Sequence, residues 1–409
     1  MLIEFTVGNH LSFKDKKTLS LEASSIKEFE ENTFKAGNYT LLKSVIIYGA
    51  NSSGKSNLIR SLNKMDMIVR TSAQMSSTDK FKIKPFLLNT ETEIKPSFFE
   101  ILILIDDVRY RYGFEVDENI VHSEWLFRCK NKSESLLFLR DKDRIEITKD
   151  FHEGKGIEER TRENALFLSS VDQWNGTISK KIMNWFNERV YVLWGLAHKS
   201  RRPVTINFDS DPVTKKNMVD FISQFNLGFN EFKVESEKEV ENAVLTHHNK
   251  YDIHGHVVDN HWFELDKEES SGTKKIFDLS GYIMGGLLSG NTTIIDELDA
   301  KLHPLLTMAI VRLFNSNKNN SRNAQLIFAT HDTNLLTYGN FRRDQVYFTE
   351  KNQFEETDLY SLVEYKDESG VKPRNDRSFE KDYIKGRYGA IPFIGDFSNL
   401  LSNGQNIED

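Results

Sequence analysis

The feature that most constrains this chain is the octapeptide Gly49-Ala50-Asn51-Ser52-Ser53-Gly54-Lys55-Ser56. It satisfies G-x-x-x-x-G-K-S without departure. Residues 41–48 before it (LLKSVIIY) lose polar alternation after Ser44, as expected of a strand buried on both faces. After it, Leu58, Ile59, Leu62, Met65 and Ile68 recur at helical spacing. Strand, glycine-framed loop and helix in this order point to an α/β fold. The glycines let successive N–H groups converge into a nest for phosphate oxygens, and the helix N-terminus adds its positive end. Lys55 supplies a mobile charge for the β- and γ-phosphates, and the Ser56 hydroxyl is a ligand for Mg²⁺. Asn57, in the first helical turn, stands with the loop among the expected nucleotide contacts. The competing reading is a chance match in a Gly/Ser loop; the flanking elements favour a bound nucleotide.

Three further segments carry chemistry. Thr292-Thr293-Ile294-Ile295-Asp296-Glu297 is an apolar strand ending in two carboxylates, at the sheet edge where α/β proteins bind ligands. Asp296 is the expected Mg²⁺ ligand, and Glu297 the group that polarises an attacking water. The second segment, residues 325–332 (QLIFATHD), delivers His331 to the same edge. His331 reads either as a structural histidine or as a sensor of the γ-phosphate, and its position after Asp296-Glu297 favours the sensor. The third, Glu269-Ser270-Ser271-Gly272-Thr273-Lys274, is an ordinary helix cap or an anion-binding one.

The remaining pattern divides 409 residues into four regions. Residues 1–75 form an N-terminal lobe with the loop at Gly49. Residues 76–160 hold strands near 98–105, 108–116, 121–128 and 136–139, separated by polar turns: an antiparallel meander. Residues 161–262 read as a helical lid (helices over 164–187 and 214–225) and a hairpin around Gly255, with strand-like runs at 251–253 and 257–265. Residues 263–409 return to α/β character, with helices over 274–288 and 304–314 and buried strands at 292–295 and 325–329. No heptad array is present, so no long coiled-coil arm is expected. No apolar run approaches the roughly 18 residues of a membrane span. The first ten residues lack the basic and apolar regions of a secretory signal, so a cytoplasmic location is expected. A single cysteine, Cys129, excludes an internal disulfide framework. The net charge of −7 argues against a general nucleic-acid coat.

Together, the loop, the small-residue cap, the Asp-Glu strand and the strand-end histidine resemble the ABC-type ATPase head of the clade shared by SMC and RecF proteins. Within it, the chain is similar to the compact AAA-type ATPases of restriction-linked and abortive-infection operons, the RloA-like family. Asn9-His10-Leu11-Ser12-Phe13 resembles that clade's N-F-x-S-F turn, Leu298-Asp299-Ala300 its D-loop, and Leu302-His303-Pro304 the L-H-P that follows. Arg387-Tyr388-Gly389-Ala390-Ile391-Pro392 is similar to the family's C-terminal R-Y-G-A-I-P. The likeness covers roughly residues 1–70 and 262–392. The signature loop departs from the pattern: it keeps a serine and one glycine and loses the glutamine.

The resemblance implies an ABC-type head with a β-rich subdomain and a helical lid insertion, and ATP with Mg²⁺ as cofactors. It implies that Asn9 lies near the nucleotide, and that Ser270, Ser271 and Gly272 of one subunit cover the nucleotide held by another. Asp299 would sit at that interface, and the oligomer would be a homodimer or larger. Lys55, Glu297 and His331 are the catalytic candidates. The function expected is a Mg²⁺-dependent ATPase whose ATP-driven association controls a separately encoded effector, a nuclease by preference, in anti-phage defence. Nucleic acid is allowed but not required as a partner, and no membrane is expected. The alternatives are a RecF-like clamp that grips DNA directly and an ATP-binding scaffold without hydrolysis.

Two features of the middle stay outside this scheme. His247, His248, His254, His256 and His261 cluster, but without a matching ligand spacing they read as structural or solvated rather than as a zinc site. The basic clusters Lys80/Lys82/Lys84, Lys199/Arg201/Arg202 and Arg374/Arg377 read as surface charge before phosphate contacts.

Overall fold

The computed structural model describes residues 1–130, 133–195, 201–235, 243–337, 341–366, 370, 373 and 378–392. Strands β1 (Leu2–Gly8) and β2 (Lys17–Ser20) come first, followed by the hairpin β3 (Thr33–Ala36) and β4 (Tyr39–Leu42) and by β5 (Ser44–Tyr48). Helix α1 (Lys55–Thr71) then leads into the meander β6 (Ser97–Ile105), β7 (Val108–Val116), β8 (Val121–Cys129), β9 (Glu134–Asp141) and β10 (Arg144–Ile147). Next come α2 (Phe167–Asp172), α3 (Thr177–Glu188), β11 (Val190–Leu193), α4 (Arg202–Ile206) and α5 (Pro212–Ser223). The three strands β12 (Glu231–Glu235), β13 (Ala243–Tyr251) and β14 (Val257–Glu264) precede α6 (Leu265–Glu268) and α7 (Ser271–Ser289). The last elements are β15 (Thr292–Ile295), α8 (Pro304–Asn315), β16 (Gln325–Ala329), β17 (Val346–Lys351), β18 (Thr357–Ser361) and α9 (Phe379–Ile384).

The centre is a six-stranded sheet in the order β11-β15-β16-β5-β17-β18, parallel except for the edge strand β18. All five residues of β5 are buried, and its side chains alternate between two cores. Val45 and Ile47 join Leu58, Leu62 and Met65 of α1 on one face, whereas Ile46 and Tyr48 join Ile276 and Leu279 of α7 on the other. This is the period-two alternation of a strand covered on both faces; the buried Ser44 at its start donates from Oγ to Asn315 Oδ1. A seven-stranded antiparallel sheet, β10-β9-β8-β7-β6-β1-β2, packs over α1. The meander therefore extends the first strand, through pairing of β6 with β1. The sheet β12-β13-β14 rests on α5 and α7 through Met218, Ile222, Phe232 and Phe277. The chain is thus an α/β head with a β-rich subdomain, and its longest helix among the described residues, α7, has 19 residues.

Two sequence expectations need correction. The helix expected over 164–187 is two helices, because Asn175 takes a left-handed φ of 62° and Gly176 follows. Each half has its own carboxylate cap: Glu124 accepts from the N–H groups of Phe167 and Leu168, and Glu153 from those of Ile178 and Ser179. The strand-like run at 251–253 stops at Tyr251, where Asp252 accepts from the N–H groups of His254 and His256 and turns the chain.

Candidate nucleotide site

The loop at Gly49–Ser56 leaves the C-terminal end of β5 and closes into α1. Ser52 (φ 64°) and Gly54 (φ 117°) take left-handed conformations that curl its N–H groups inward. A Cβ on Gly54 would stand 2.4 Å from the Thr357 hydroxyl oxygen, so only glycine lets β18 pack against the loop. Three hydroxyls pin the loop from behind. Ser53 Oγ lies 2.6 Å from Thr349 Oγ1, and Thr357 Oγ1 donates to the Ser53 carbonyl at 3.0 Å. Ser12 Oγ accepts from Asn57 Nδ2 at 2.8 Å and lies 2.7 Å from Thr357 Oγ1. Ala50 and Asn51 form the outer lip, Asn51 exposed.

Lys55 is buried, and its Nζ donates to the carbonyls of Gly49 (2.6 Å) and Ala50 (3.0 Å). Burial pushes its ammonium down to about 8, opposed by the charges of Asp296, Asp299 and Glu297. The next residue, Ser56, donates from Oγ to Asp296 Oδ1 at 3.2 Å. Burial raises the Asp296 carboxyl, with Ser56 and Lys55 pulling the other way and Glu297 reinforcing it. The backbone N–H of Asp296 donates to Leu193 O at the end of β11. Glu297 then takes a left-handed φ of 50°, turning the chain sharply at the strand end. Asp299 Oδ2 accepts from the His331 N–H at 3.3 Å, while its Oδ1 is buried with no partner among the described residues. Partial burial and the nearby Lys55 hold the His331 ring below its usual range. The ends of β5, β15 and β16 thus gather Lys55, Ser56, Asp296, Glu297, Asp299 and His331 at one sheet edge.

Asn9 and residues 270–272 are held by other elements of the chain. The Asn9 amide is committed to the loop over residues 86–96: Nδ2 donates to the carbonyls of Thr92 and Lys95, and Oδ1 accepts from Phe86 N. Among the described residues no hydrogen bond joins its side chain to the loop at Gly49, whereas Ser12, three residues on, bonds Asn57 and Thr357 there. Ser270 caps α7 by accepting from Thr273 N at 3.1 Å. Ser270 and Ser271 are exposed, and no hydrogen bond among the described residues joins residues 270–272 to the loop of their own chain. They pack instead on the Asp296–Lys301 turn, where a Cβ on Gly272 would stand 2.8 Å from the Lys301 carbonyl. From the next turn of α7, buried Lys275 donates to the carbonyls of Glu297 (2.6 Å) and Ala300 (2.8 Å).

The structure adds residues that sequence reasoning missed. Thr349 and Thr357 are one set. Tyr383 of α9, stacked on Phe348 with ring centroids 5.4 Å apart, is another, and it packs beneath Tyr48 just before the loop. Half-exposed Trp194 follows β11 at the rim, 5.7 Å from the Arg60 guanidinium. The basic cluster around Arg201 is not surface charge. Arg201 donates to the carbonyls of Trp194 and Gly195, and Arg202 pairs with Asp266 (2.8 Å) and Asp278 (2.9 Å). Lys80 pairs with Glu118, and Lys199, Arg374 and Arg377 lie outside the described residues. Of the histidines, His248 bonds Glu269 at 2.7 Å, His247 packs on Trp262, His261 packs on Phe263, and His254 and His256 flank the turn at Asp252.

A family model described as "AAA domain, putative AbiEii toxin, Type IV TA system" matches residues 44–337. The chain belongs to this family. The match contains the loop, the Asp296-Glu297 strand and His331. A comparison with curated proteins gives no match. Among solved structures, the SMC head domain from Thermotoga maritima aligns with a TM-score of 0.40 and 12% identity, covering 88% of this chain and 98% of that one. An SMC head bound to the C-terminal winged-helix domain of ScpA aligns with the same score and identity, over 88% and 97%. As a member of this family the chain is a P-loop ATPase-like protein of a group linked to abortive infection. No helix among its described residues is long and apolar enough to cross a membrane.

Proposed function

We propose that the chain is a Mg²⁺-dependent ATPase whose ATP-bound form associates with a second copy, and that this association controls a separately encoded effector in phage defence. The observation that carries the reading is the meeting of Ser56 and Asp296 at 3.2 Å, beside buried Lys55 and next to Glu297. A hydroxyl and a carboxylate are the hard oxygen donors that Mg²⁺ prefers, and a buried carboxyl with a raised pKa is stabilised by a cation. Ser56 and Asp296 would hold Mg²⁺, which when bound neutralises charge on the β- and γ-phosphates. The loop N–H groups and Lys55 orient the phosphates; to do so, Lys55 gives up its two carbonyl partners. Glu297 accepts a proton from the attacking water, and His331 reads the γ-phosphate.

Ser270 and Ser271 are exposed, and residues 270–272 have no hydrogen bond to their own loop among the described residues, which supports a site completed by another subunit. The family's link to toxin–antitoxin systems supports a separate effector, with a nuclease as the first candidate. Burial of Arg201 and Arg202 removes one of the basic clusters that a DNA clamp would use. The test is light scattering with Mg-ATP. Glu297→Gln, which binds without turning over, is expected to accumulate as a dimer or larger species, whereas Lys55→Ala stays at the nucleotide-free mass. A Glu297→Gln variant that binds ATP without change of mass would sink the association model. Turnover undiminished in that variant would sink the role of Glu297.

A further inference from the structure

A lysine on the core-facing side of a helix is costly, because its ammonium must leave water. Lys275 lies on α7 next to Ile276 and close to Leu279, both fully buried, and is itself 2% exposed. No carboxylate among the described residues lies within ion-pair distance of it. Its partners are two carbonyls of one turn, Glu297 O at 2.6 Å and Ala300 O at 2.8 Å. The left-handed conformation at Glu297 takes that turn out of the β15 ladder, so its carbonyls need donors from elsewhere. Ala300 N supplies one for Glu297 O, and Lys275 supplies a second, charged one. Three residues earlier on the same helix face, Gly272 admits the Lys301 carbonyl to a distance that a side chain would forbid. The opposite side of the turn is held by β16 and the residues after it, through Leu298 N to Ala329 O and His331 N to Asp299 Oδ2.

We propose that Lys275 is the positioning residue of this turn: by clamping the Glu297 and Ala300 carbonyls, it joins the segment bearing Ser270–Gly272 to the segment bearing Glu297 as one rigid unit. A ligand phosphate that pulls on residues 270–272 then moves Glu297 of the same chain. The two half-sites carried by one chain are thereby coupled without any change in the sheet. What the turn does chemically rests on the function proposed above; the clamp itself does not.

The experiment compares Lys275→Met, which keeps the aliphatic stem and loses the donors, with Lys275→Arg, which keeps donors. In nucleotide-free protein, amide exchange over residues 298–302 is expected to quicken about tenfold or more in Lys275→Met, with β15 unchanged and Lys275→Arg close to wild type. In turnover, Lys275→Met is expected to lose about tenfold or more in kcat with KM within about twofold, a split that general loss of stability does not give. Exchange over 298–302 that stays within about twofold of wild type would overturn the proposal. If Lys275→Met does not fold, Gly272→Ala carries the same test, with faster exchange over 298–302 in support and unchanged exchange against. Absence of turnover in the wild type would count against the proposed function and leave the exchange result standing.

Discussion

The Ser56 hydroxyl donates to the Asp296 carboxylate across 3.2 Å, although 240 residues separate the two in the chain. The contact joins the end of the β5 loop to the end of β15, with β16 between the two strands in the sheet. It places two oxygen donors side by side at the mouth of the loop, as the proposed Mg²⁺ site requires.

Asp296→Asn is therefore expected to lower Mg-dependent turnover by about a hundredfold or more, an effect of the size seen when one preorganised electrostatic group is removed. The melting temperature should not fall, because burial already disfavours the Asp296 charge in the folded state. A steady-state assay and a thermal melt on the same preparation check both parts. Turnover within about tenfold of wild type would remove Asp296 from the metal site.

Lys55 gives a pH signature to binding. Burial pushes its ammonium down to about 8. A bound polyphosphate favours the charged form, so above pH 8 binding must take up a proton. ATP affinity is expected to hold steady below pH 8 and to fall by up to about tenfold per pH unit above it. Calorimetry at pH 9 in buffers of different ionisation heat measures the proton directly. No uptake there would show that Lys55 keeps its charge before nucleotide binds.

His10 gives a pH signature to folding. It is 2% exposed, packs edge-on against Phe99, and contacts Ser61 Oγ at 2.8 Å. Ser61 donates its own hydroxyl proton to Asn57 O, so His10 Nδ1–H is the donor to Ser61. Burial, with Lys64 and Arg60 adding to it, lowers the ring to about 3 from an ordinary 6.5. Between these values the unfolded chain binds a proton that the folded chain does not. The contribution is fully present above pH 6.5 and is lost as pH falls toward 3, by about 5 kcal/mol in all. Urea titrations from pH 7 to 4 should show the wild type losing stability faster than His10→Gln. Parallel curves would mean that the ring titrates normally in the fold.

Gly281 tests the packing of α4 on α7. Replacing a mid-helix glycine by alanine ordinarily gains about 0.5–1 kcal/mol. Here the added Cβ would stand 2.5 Å from Thr205 N and 2.7 Å from Val204 C, both backbone atoms. Gly281 N also donates to Thr205 Oγ1 at 2.9 Å, so any shift of α4 away from the new Cβ would strain this hydrogen bond. Gly281→Ala is expected to destabilise by about 2 kcal/mol, as overpacking does. A gain in the denaturant midpoint would show that α4 can move aside.

What could be read in the sequence followed from where the information lies. The Gly49–Ser56 loop, the Asp296-Glu297 strand and the buried strands at 292–295 and 325–329 are local patterns, and the sheet edge they share follows from α/β topology. Thr349 and Thr357 could not be read in this way. Each is an unremarked strand threonine until β17 is paired with β5, some 300 positions away, and β18 with β17. β11 is only four residues long, and its partner β15 lies about 100 positions on, so nothing near it marked it as part of the central sheet. Lys275 carried no signal either, since a lysine in a helix reads as a solvated end until the turn facing it is known. The break between α2 and α3 is a different case. The Asn175-Gly176 pair is a local turn signal, and the helical periodicity on either side masked it.

The order of strands in the central sheet also sets a timetable for synthesis. The meander from β6 to β10 consists of successive antiparallel neighbours, and β1 pairs with β6, so that sheet can close once roughly the first third of the chain has emerged. β5 is made early as well, but its two neighbours are β16 and β17, translated nearly 300 residues later. Until then the loop hangs from a strand without its sheet partners, and two of the three hydroxyls that brace it, those of Thr349 and Thr357, do not yet exist. A nascent chain can therefore pair the strands of the antiparallel sheet before the strands that flank the loop have been made. Under the function proposed above, the switch is complete only once β16, β17 and β18 have been made.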